Sequence, residues 1–331
     1  MRRHKGKYRM NYVETQYIAS PKIRGKPIMK KIQIAVFLSL VFVLCQGQDQ
    51  PVTFFLVSDT HYGASETIAS ANRSTIDMMK KLPGKKLPKE FGGIVQVPRG
   101  VIHCGDILDD GQEPDWDDYR ADYGVNGEGR INFPVYETFG NHDGGIDGPV
   151  RQGIIERNKL RPGVSNTSDN GLHYSWDWGD IHFINVNLYP GAEWDSTCEW
   201  CHYFKEDFKY PLNSLEFLRK DLKEQIGASG KPVIIIQHYG WDSFSELWWT
   251  EREKEAYYKA IKDYNIIAIF QGHSHGVEKF EWKGLDIWSV GSAQKDPNPG
   301  NFLVVRIADD KMIVAEKDSG GWKQTFTKDI K

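Results

Sequence analysis

From residue 51 onward, short apolar runs alternate with longer amphipathic segments. The runs at residues 52–58, 101–104, 135–139, 181–187, 233–237 and 266–271 have the length and composition of buried β-strands. The segments at residues 66–82, 214–226 and 250–264 predict helices, and Asn213 with Glu216 resembles a helix-capping pair before the second. Alternation of strands and helices predicts parallel sheet.

The end of the chain has a different pattern. Residues 277–282, 285–290, 302–307 and 312–316 predict antiparallel hairpin strands. Parallel strands followed by hairpins predict mixed sheets, so we expect an α/β fold in which a two-sheet mixed β-sandwich is flanked by helices. No linker-like composition interrupts this pattern. We therefore predict a single domain over residues 50–331.

Polar residues follow several of the predicted strands. They are Asp59-Thr60-His61, Gly105-Asp106, Gly140-Asn141-His142-Asp143, His238 and Gly272-His273-Ser274-His275. The carboxyl ends of strands in such sheets form a common edge, where binding sites occur. Aspartate, histidine and asparagine are ligands that suit Zn, Mn or Fe, so the sequence predicts a transition-metal site at this edge.

In their order these sets match the motifs D-x-H, G-D, G-N-H-[DE], H and G-H-x-H, and residues 52–291 resemble the calcineurin-like metallophosphoesterase superfamily. The resemblance implies hydrolysis of phosphoric esters at two divalent or trivalent transition-metal ions (Mn, Zn or Fe), with a hydroxide that bridges the metals as nucleophile. It implies that one metal is bound by Asp59, His61, Asp106 and His275. The second would be bound by Asp106, Asn141, His238 and His273, with Asp106 shared.

The resemblance also implies that His142 faces the substrate. We expect His142 to protonate the departing oxygen and Asp143 to fix its tautomer, although Asp143 is alternatively a turn residue. Purple acid phosphatases have a tyrosine ligand three residues after the shared aspartate, where this chain has Asp109. An Fe(III)–tyrosinate site is therefore not expected. Asp109 and Asp110 are either exposed loop acids or hydrogen-bond partners of the ligands.

The expected substrate is a small phosphorylated molecule. We place phosphomonoesters ahead of phosphodiesters of the cyclic-nucleotide or glycerophosphodiester type, because the motifs are shared by both kinds of enzyme. Aromatic residues gather near the predicted site, either as the core of a lid or as a stacking surface for substrate. They are Tyr189, Trp194, Trp200, Tyr203, Tyr239, Trp241, Phe244, Trp248 and Trp249. The net charge of −3, without a basic stripe, argues against a nucleic-acid partner.

The N-terminal region has the pattern of a secretory signal. Met29-Lys30-Lys31 precedes an apolar run at residues 32–44, which predicts a signal peptide at residues 29–47 and a periplasmic or secreted product. The alternative is a lipoprotein anchored at Cys45, the one case in which we expect membrane association. We interpret residues 1–28 as a non-native extension. The alternative is a genuine cytoplasmic segment.

The remaining cysteines and histidines have simpler interpretations. Cys198 and Cys201 predict a local disulfide in an insertion at residues 187–213, with a thiol–disulfide enzyme as a remote alternative. Cys104 lies in an apolar strand and is expected to be a buried thiol. His103 and His182 are expected in the core, and His173 is left open.

Overall fold

The fold is built on thirteen strands in a computed structural model that describes residues 51–195, 197, 206–242, 248–293 and 300–330. In chain order the described strands are β1 (Val52–Val57), β2 (Val101–Cys104), β3 (Val135–Thr138), β4 (Val164–Thr167), β5 (Tyr174–Trp178), β6 (Ile181–Asn185), β7 (Val233–Ile236), β8 (Ile266–Gln271), β9 (Glu278–Trp282), β10 (Leu285–Ser289), β11 (Phe302–Ala308), β12 (Lys311–Asp318) and β13 (Gly321–Asp329). Each apolar run predicted as a strand forms one.

The strands form two mixed sheets. One has the order β13-β12-β11-β1-β2-β3, and the other has the order β4-β5-β6-β7-β8-β10-β9. Strands β1, β2 and β3 are parallel, as are β6, β7, β8 and β10, whereas the hairpins β9–β10 and β11–β12 are antiparallel. The predicted α/β fold with two mixed sheets and flanking helices is confirmed.

Alternate residues of β1 face opposite sides of their sheet. Phe54 lies in the core that both sheets share, with its ring 5.3 Å from Phe183 and 6.2 Å from Phe270 of the other sheet. Phe55 belongs to the cluster that contains the helices. Burial of such a side chain contributes about 1.5–3 kcal/mol, so both faces of β1 stabilise the sandwich. This double burial explains why β1 is apolar throughout.

Five described α-helices accompany the sheets: α1 (Glu66–Lys81), α2 (Glu113–Asp122), α3 (Pro149–Asn158), α4 (Ser214–Asp221) and α5 (Glu251–Ile261). A 3-10 turn spans Glu206–Phe208, and α4 continues into a π-helical turn at Leu222–Ile226. Thr250 and Glu253 form a reciprocal capping box at α5, which defines its first turn. No helix among the described residues is both long and apolar enough to span a bilayer.

The predicted capping role of Asn213 is wrong. Asn213 has a left-handed backbone with φ of 59°, and its side chain makes no capping hydrogen bond. A capping residue needs an extended backbone to aim its side chain at the first turn, so this conformation excludes the role. The turn is held instead by a backbone hydrogen bond from Asn213 to Ala192 O and by the Ser214 hydroxyl, which donates to Tyr189 O.

Several predictions lie outside the described residues. They are the extension at 1–28, the signal peptide at 29–47, the anchor at Cys45, the disulfide between Cys198 and Cys201, and the roles of the aromatic residues Trp200, Tyr203 and Phe244.

Candidate metal centre

The structure brings the seven predicted metal ligands together at the carboxyl ends of three parallel strands of one sheet and two parallel strands of the other. Asp59 and His61 follow β1, Asp106 follows β2, Asn141 follows β3, His238 follows β7, and His273 and His275 follow β8. Two groups of donor atoms result, each with its atoms within 4.8 Å of one another. The first contains Asp59, His61, Asp106 and His275, and the second contains Asp106, His238 and His273. Asn141 adjoins the second group, with Oδ1 3.1 Å from His238 Nε2.

The Asp106 carboxylate lies between the two groups. Its Oδ1 is 3.3 Å from His238 Nε2, and its Oδ2 is 4.0 Å from His61 Nε2. Oδ1 also accepts a hydrogen bond of 2.9 Å from the backbone of His142. In the first group, His275 Nε2 is 3.2 Å from both Asp59 Oδ1 and His61 Nε2. Carboxylate oxygens and imidazole nitrogens therefore converge on each side of Asp106.

The electrostatics of the centre favour ionised carboxylates. Burial opposes ionisation of Asp106, but the neighbouring His238 charge outweighs it and holds the pKa of this carboxyl well below its usual range. Burial likewise disfavours protonated His238, yet Asp106 and Asp59 raise its pKa to about 9. For His273, burial lowers the pKa to about 3, so its ring is neutral. Buried carboxylates beside imidazoles form a set of donors that suits a cation.

Five of the seven predicted ligands have left-handed backbones. The φ angles are 51° at Asp59, 43° at His61, 51° at Asp106, 72° at His273 and 59° at His275. Such a conformation costs a residue other than glycine about 1–3 kcal/mol and persists only where surrounding contacts enforce it. Here the loop after β1 is held to the loop after β2, because Asp59 N donates to Gly105 O and His61 N donates to Asp106 O. The strain lies where the donor atoms converge.

The motif glycines permit the close approach of these loops. A Cβ on Gly140 would lie 2.5 Å from Asp106 N and 2.8 Å from His238 Nε2. Gly105 has φ of 99°, and a Cβ there would lie 2.7 Å from Cγ of the His238 ring. A side chain at either position would displace His238 or Asp106 from the donor set.

Asp109 contacts two histidines of the site, His61 and His142. His142 Nδ1 is 2.8 Å from the Asp109 carbonyl oxygen, and His61 Nδ1 is 3.3 Å from the Asp109 carboxylate. The His61 and His142 rings meet edge to face with centroids 4.9 Å apart. A carbonyl can only accept, so Nδ1 of His142 carries a proton and Nε2 is the nitrogen that exchanges protons with a ligand. The hydrogen bond to His142 is made by the Asp109 backbone carbonyl, whereas the Asp109 carboxylate is 45% exposed and lies near the ring of His61.

The prediction that Asp143 orients His142 is wrong. The buried Asp143 carboxylate accepts hydrogen bonds of 2.7 Å from the backbone of Leu108 and of Gly140. Its side chain turns back beneath its own loop and joins that loop to the one after β2. Burial, together with the Asp106 charge, raises the pKa of Asp143 to about 6. Asp143 therefore holds the loop that carries Asn141, as a turn residue does.

Comparison with known proteins shows to which protein family this chain belongs. The model of the calcineurin-like phosphoesterase family matches residues 52–277. The chain belongs to this family. The phosphoesterase is accordingly a metal-dependent hydrolase of phosphoric esters, and its donor groups are candidate ligands for the metal.

Solved structures share the fold of the phosphoesterase at low sequence identity. A dimetal phosphatase from Danio rerio is 15% identical, with 85% of this chain and 99% of that chain covered and a TM-score of 0.59. GAP50, the anchor in the inner membrane complex of Plasmodium, is 15% identical, with 85% and 89% covered and a TM-score of 0.51. No curated protein sequence matches the chain.

The described aromatic residues beside the centre form a packed cluster. The rings of Tyr239 and Trp248 lie 4.9 Å and 5.0 Å from the ring of His273. Tyr239 and Trp249 are 1% exposed and Trp248 is 8% exposed, whereas Trp241 is half-buried. Tyr189 is also buried and contacts Tyr239 and Trp249. These residues pack as a core against a predicted metal ligand, which favours the first of the two sequence interpretations.

The other predicted core residues of the phosphoesterase are buried. His182 lies between Asp177 and Asp221, with its ring nitrogens 2.8 Å and 2.7 Å from the two carboxylates. His173, left open by the sequence, is buried beside Asn187, and burial lowers its pKa to about 4. Cys104 is buried, which raises the pKa of its thiol well above the usual range and makes it unreactive.

Proposed function

We propose that the phosphoesterase hydrolyses phosphomonoesters at a binuclear metal centre. The observation that carries this proposal is the position of Asp106, whose two carboxylate oxygens face different histidines, His238 and His61. A carboxylate shared in this way can serve two cations at once, which is the arrangement of two-metal hydrolases. If the site held one cation, the donor atoms of the second group would have no cation to bind.

The residues present fit two transition-metal ions. Asp59, His61, Asp106 and His275 would hold one ion, and Asp106, Asn141, His238 and His273 would hold the other. Mixed oxygen and imidazole donors without a thiolate suit Mn, Zn or Fe. When bound, such ions supply Lewis-acid activation of water and neutralise charge on phosphoryl oxygens.

His142 is the candidate general acid. The Asp109 carbonyl holds its Nδ1 proton and so directs Nε2 to proton exchange. The side chain is half-buried at the margin of the centre, beside His61, so it can reach a bound ester. Proton donation to a departing oxygen typically contributes about 10²–10⁴-fold to the rate.

The packed aromatic cluster favours a monoester over a diester. A diester carries a second organic group on phosphorus, and an exposed aromatic surface would be suited to bind it. In the described part of the cluster, Tyr239 and Trp248 are buried against each other and against His273, and Trp249 is buried beside Tyr189. The burial of these rings therefore supports phosphomonoesters as the substrate class.

We further propose that the enzyme is exported. Two lysines followed by the apolar run at residues 32–44 match a secretory signal, with removal of residues 29–47. The substrate would then be a small phosphorylated molecule of the periplasm or the medium. Retention at a membrane through Cys45 is the alternative.

The function is tested by a substrate panel on protein loaded in turn with Mn, Zn and Fe. The panel contains alkyl and aryl phosphomonoesters, a bis-aryl phosphodiester, glycerophosphodiesters and cyclic nucleotides. We expect the highest kcat/KM for monoesters and complete loss of hydrolysis after chelation. Preference for any diester would replace the monoester proposal. Activity that survives chelation but not thiol alkylation would instead indicate a thiol enzyme using Cys198 and Cys201.

A further inference from the structure

Two buried polar residues lie behind the predicted ligands without being ligands themselves. His103 is on β2, three residues before Asp106, and Thr60 separates Asp59 from His61. Both side chains are fully buried. Burial of a polar side chain destabilises the folded protein unless its hydrogen-bonding groups find partners. The hydrogen bonds of His103 and Thr60 connect the loop after β1 with the loop after β2.

The donor and the acceptor can be assigned in each hydrogen bond of His103 and Thr60. Gly105 N–H donates to His103 Nδ1 at 3.2 Å, and the Thr60 hydroxyl donates its single proton to Ile107 O at 2.9 Å. His103 Nε2 lies 3.0 Å from Thr60 Oγ1. Because Nδ1 accepts and the hydroxyl proton is already used, Nε2 must be the donor in this contact. His103 is therefore a neutral imidazole with its proton on Nε2.

The surroundings of His103 agree with a neutral ring. The rings of Tyr119 and Tyr123 pack against it edge to face, with centroids 5.7 Å and 6.0 Å away. Burial lowers the pKa of His103 to about 3, so the ring stays neutral throughout the physiological range. A protonated ring would place a second donor against Gly105 N–H.

The chain of bonds encloses the residues that bear the donor atoms. It begins at Gly105 and ends at Ile107, on either side of Asp106. At Thr60 it passes between Asp59 and His61, and Asn72 of α1 donates to Thr60 O at 2.7 Å. Asp59, His61 and Asp106 all have left-handed backbones, which persist only where surrounding contacts enforce them. The bonds through His103 and Thr60 are contacts of this kind.

We propose that His103 and Thr60 are positioning residues, which hold Asp59, His61 and Asp106 in the geometry that binds metal. The metal-binding part rests on the proposed function, whereas the hydrogen-bond chain does not. Loss of such an outer hydrogen bond typically weakens metal binding about 10–100-fold. Two of the three residues held this way belong to the first ligand group alone. The ion of that group is therefore expected to weaken more than the ion held by Asn141, His238 and His273.

The first test uses metal-free protein and is independent of activity. Long-range ¹H–¹⁵N correlation on ¹⁵N-histidine protein reports which ring nitrogen carries the proton, and the His103 signals are assigned by their loss in His103→Gln. We expect the Nε2–H tautomer, unchanged between pH 5 and pH 8. An Nδ1–H tautomer, or a charged ring in this range, would overturn the proposal.

The second test compares Thr60→Val with Thr60→Ser. Valine keeps the shape but removes the hydroxyl, whereas serine keeps the hydroxyl and serves as the matched control. Metal affinities are measured by competition with a chromogenic chelator, and urea unfolding monitors stability. We expect Thr60→Val to bind one of the two ions at least about tenfold more weakly, and Thr60→Ser to bind both like the wild type.

Wild-type affinity in Thr60→Val, or equal damage in Thr60→Ser, would refute the positioning role. If Thr60→Val fails to fold, the tautomer measurement on wild-type protein still decides the hydrogen-bond chain. Wild-type protein that binds no metal would refute the proposed function, and the tautomer result would remain valid in that case.

Discussion

Two ligand loops approach each other closely at Gly140, so Gly140→Ala should damage the centre without removing any donor atom. The added Cβ would overlap the Asp106 carboxylate and lie 2.8 Å from His238 Nε2. Ordinary contacts between non-bonded atoms are about 3.5 Å or longer. Relief therefore requires Asp106 and His238 to move by an amount on the order of 1 Å relative to Gly140.

The size of this shift sets the expected effect. A displacement of about 1 Å can cost an enzyme about 10²-fold in rate, so we expect kcat/KM for an aryl phosphate to fall by about this factor. Overpacking of a dense interior typically costs about 1–3 kcal/mol, which should appear in urea unfolding. Initial rates at saturating metal, together with unfolding curves, measure both quantities.

Gly276→Ala is the matched control for this substitution. Gly276 directly follows the predicted ligand His275, but the nearest atoms to a Cβ there are 4.0 Å away. We expect rates and stability close to those of the wild type for Gly276→Ala. Near-normal rates in Gly140→Ala, or equal losses in the two variants, would refute the reasoning from close approach.

Three further predictions concern the general acid, the loop held by Asp143 and the N-terminal signal. His142→Ala should keep its metals and slow alkyl phosphates about 10²–10⁴-fold, but slow nitrophenyl phosphate much less, because that leaving group departs without a proton. Equal losses on both substrates would make His142 a phosphate binder instead. Asp143→Ala strands two buried backbone donors, so urea unfolding should show a loss of about 1–3 kcal/mol for each, and unchanged stability would contradict the loop-holding role. Expression from Met29 should yield an exported product whose N-terminus, by mass spectrometry, is near Gln48, whereas an intact cytoplasmic product would refute export.

The sequence predicts best those elements that are buried on both faces. Strands β2 and β8 have the predicted bounds, because continuous apolar runs of this length can only lie between two covering layers. Strands β4, β5 and β13 were not predicted. Strands β4 and β13 are edge strands with mostly half-exposed or exposed residues, and only their pairing with β5 and β12 defines them. In β5, the polar residues Ser175 and Asp177 interrupt the apolar pattern.

Helices α2 and α3 were also not predicted. Neither has an apolar stripe at helical spacing, and each begins with a proline in its first turn. They are held by individual contacts such as the stacking of Trp116 on Tyr119 in α2 and the burial of Arg151 in α3. Contacts of this kind depend on the rest of the fold and leave no periodic pattern in the sequence.

The convergence of the polar motif residues could be predicted because each motif ends a strand, whereas their assignment as metal ligands came from the family resemblance. Their hydrogen-bond partners could not be found in this way. The pairing of His142 with the Asp109 carbonyl depends on backbone conformation after β2, where Asp106 is left-handed. In the sequence, His103 resembles an ordinary core histidine. Only the positions of Thr60 and Gly105 in the structure define which nitrogen of its ring donates and which accepts a hydrogen bond.

The central claim is that Asp106 is shared by two metal ions, and metal stoichiometry tests it most directly. Elemental analysis of wild-type protein and of Asp106→Asn, after loading and removal of excess metal, measures ions per chain. We predict close to two transition-metal ions in the wild type and a loss in Asp106→Asn that exceeds the loss in Asn141→Ala or His238→Ala. A wild type that saturates at one ion or none, or an Asp106→Asn variant that keeps two, would contradict the shared-ligand centre.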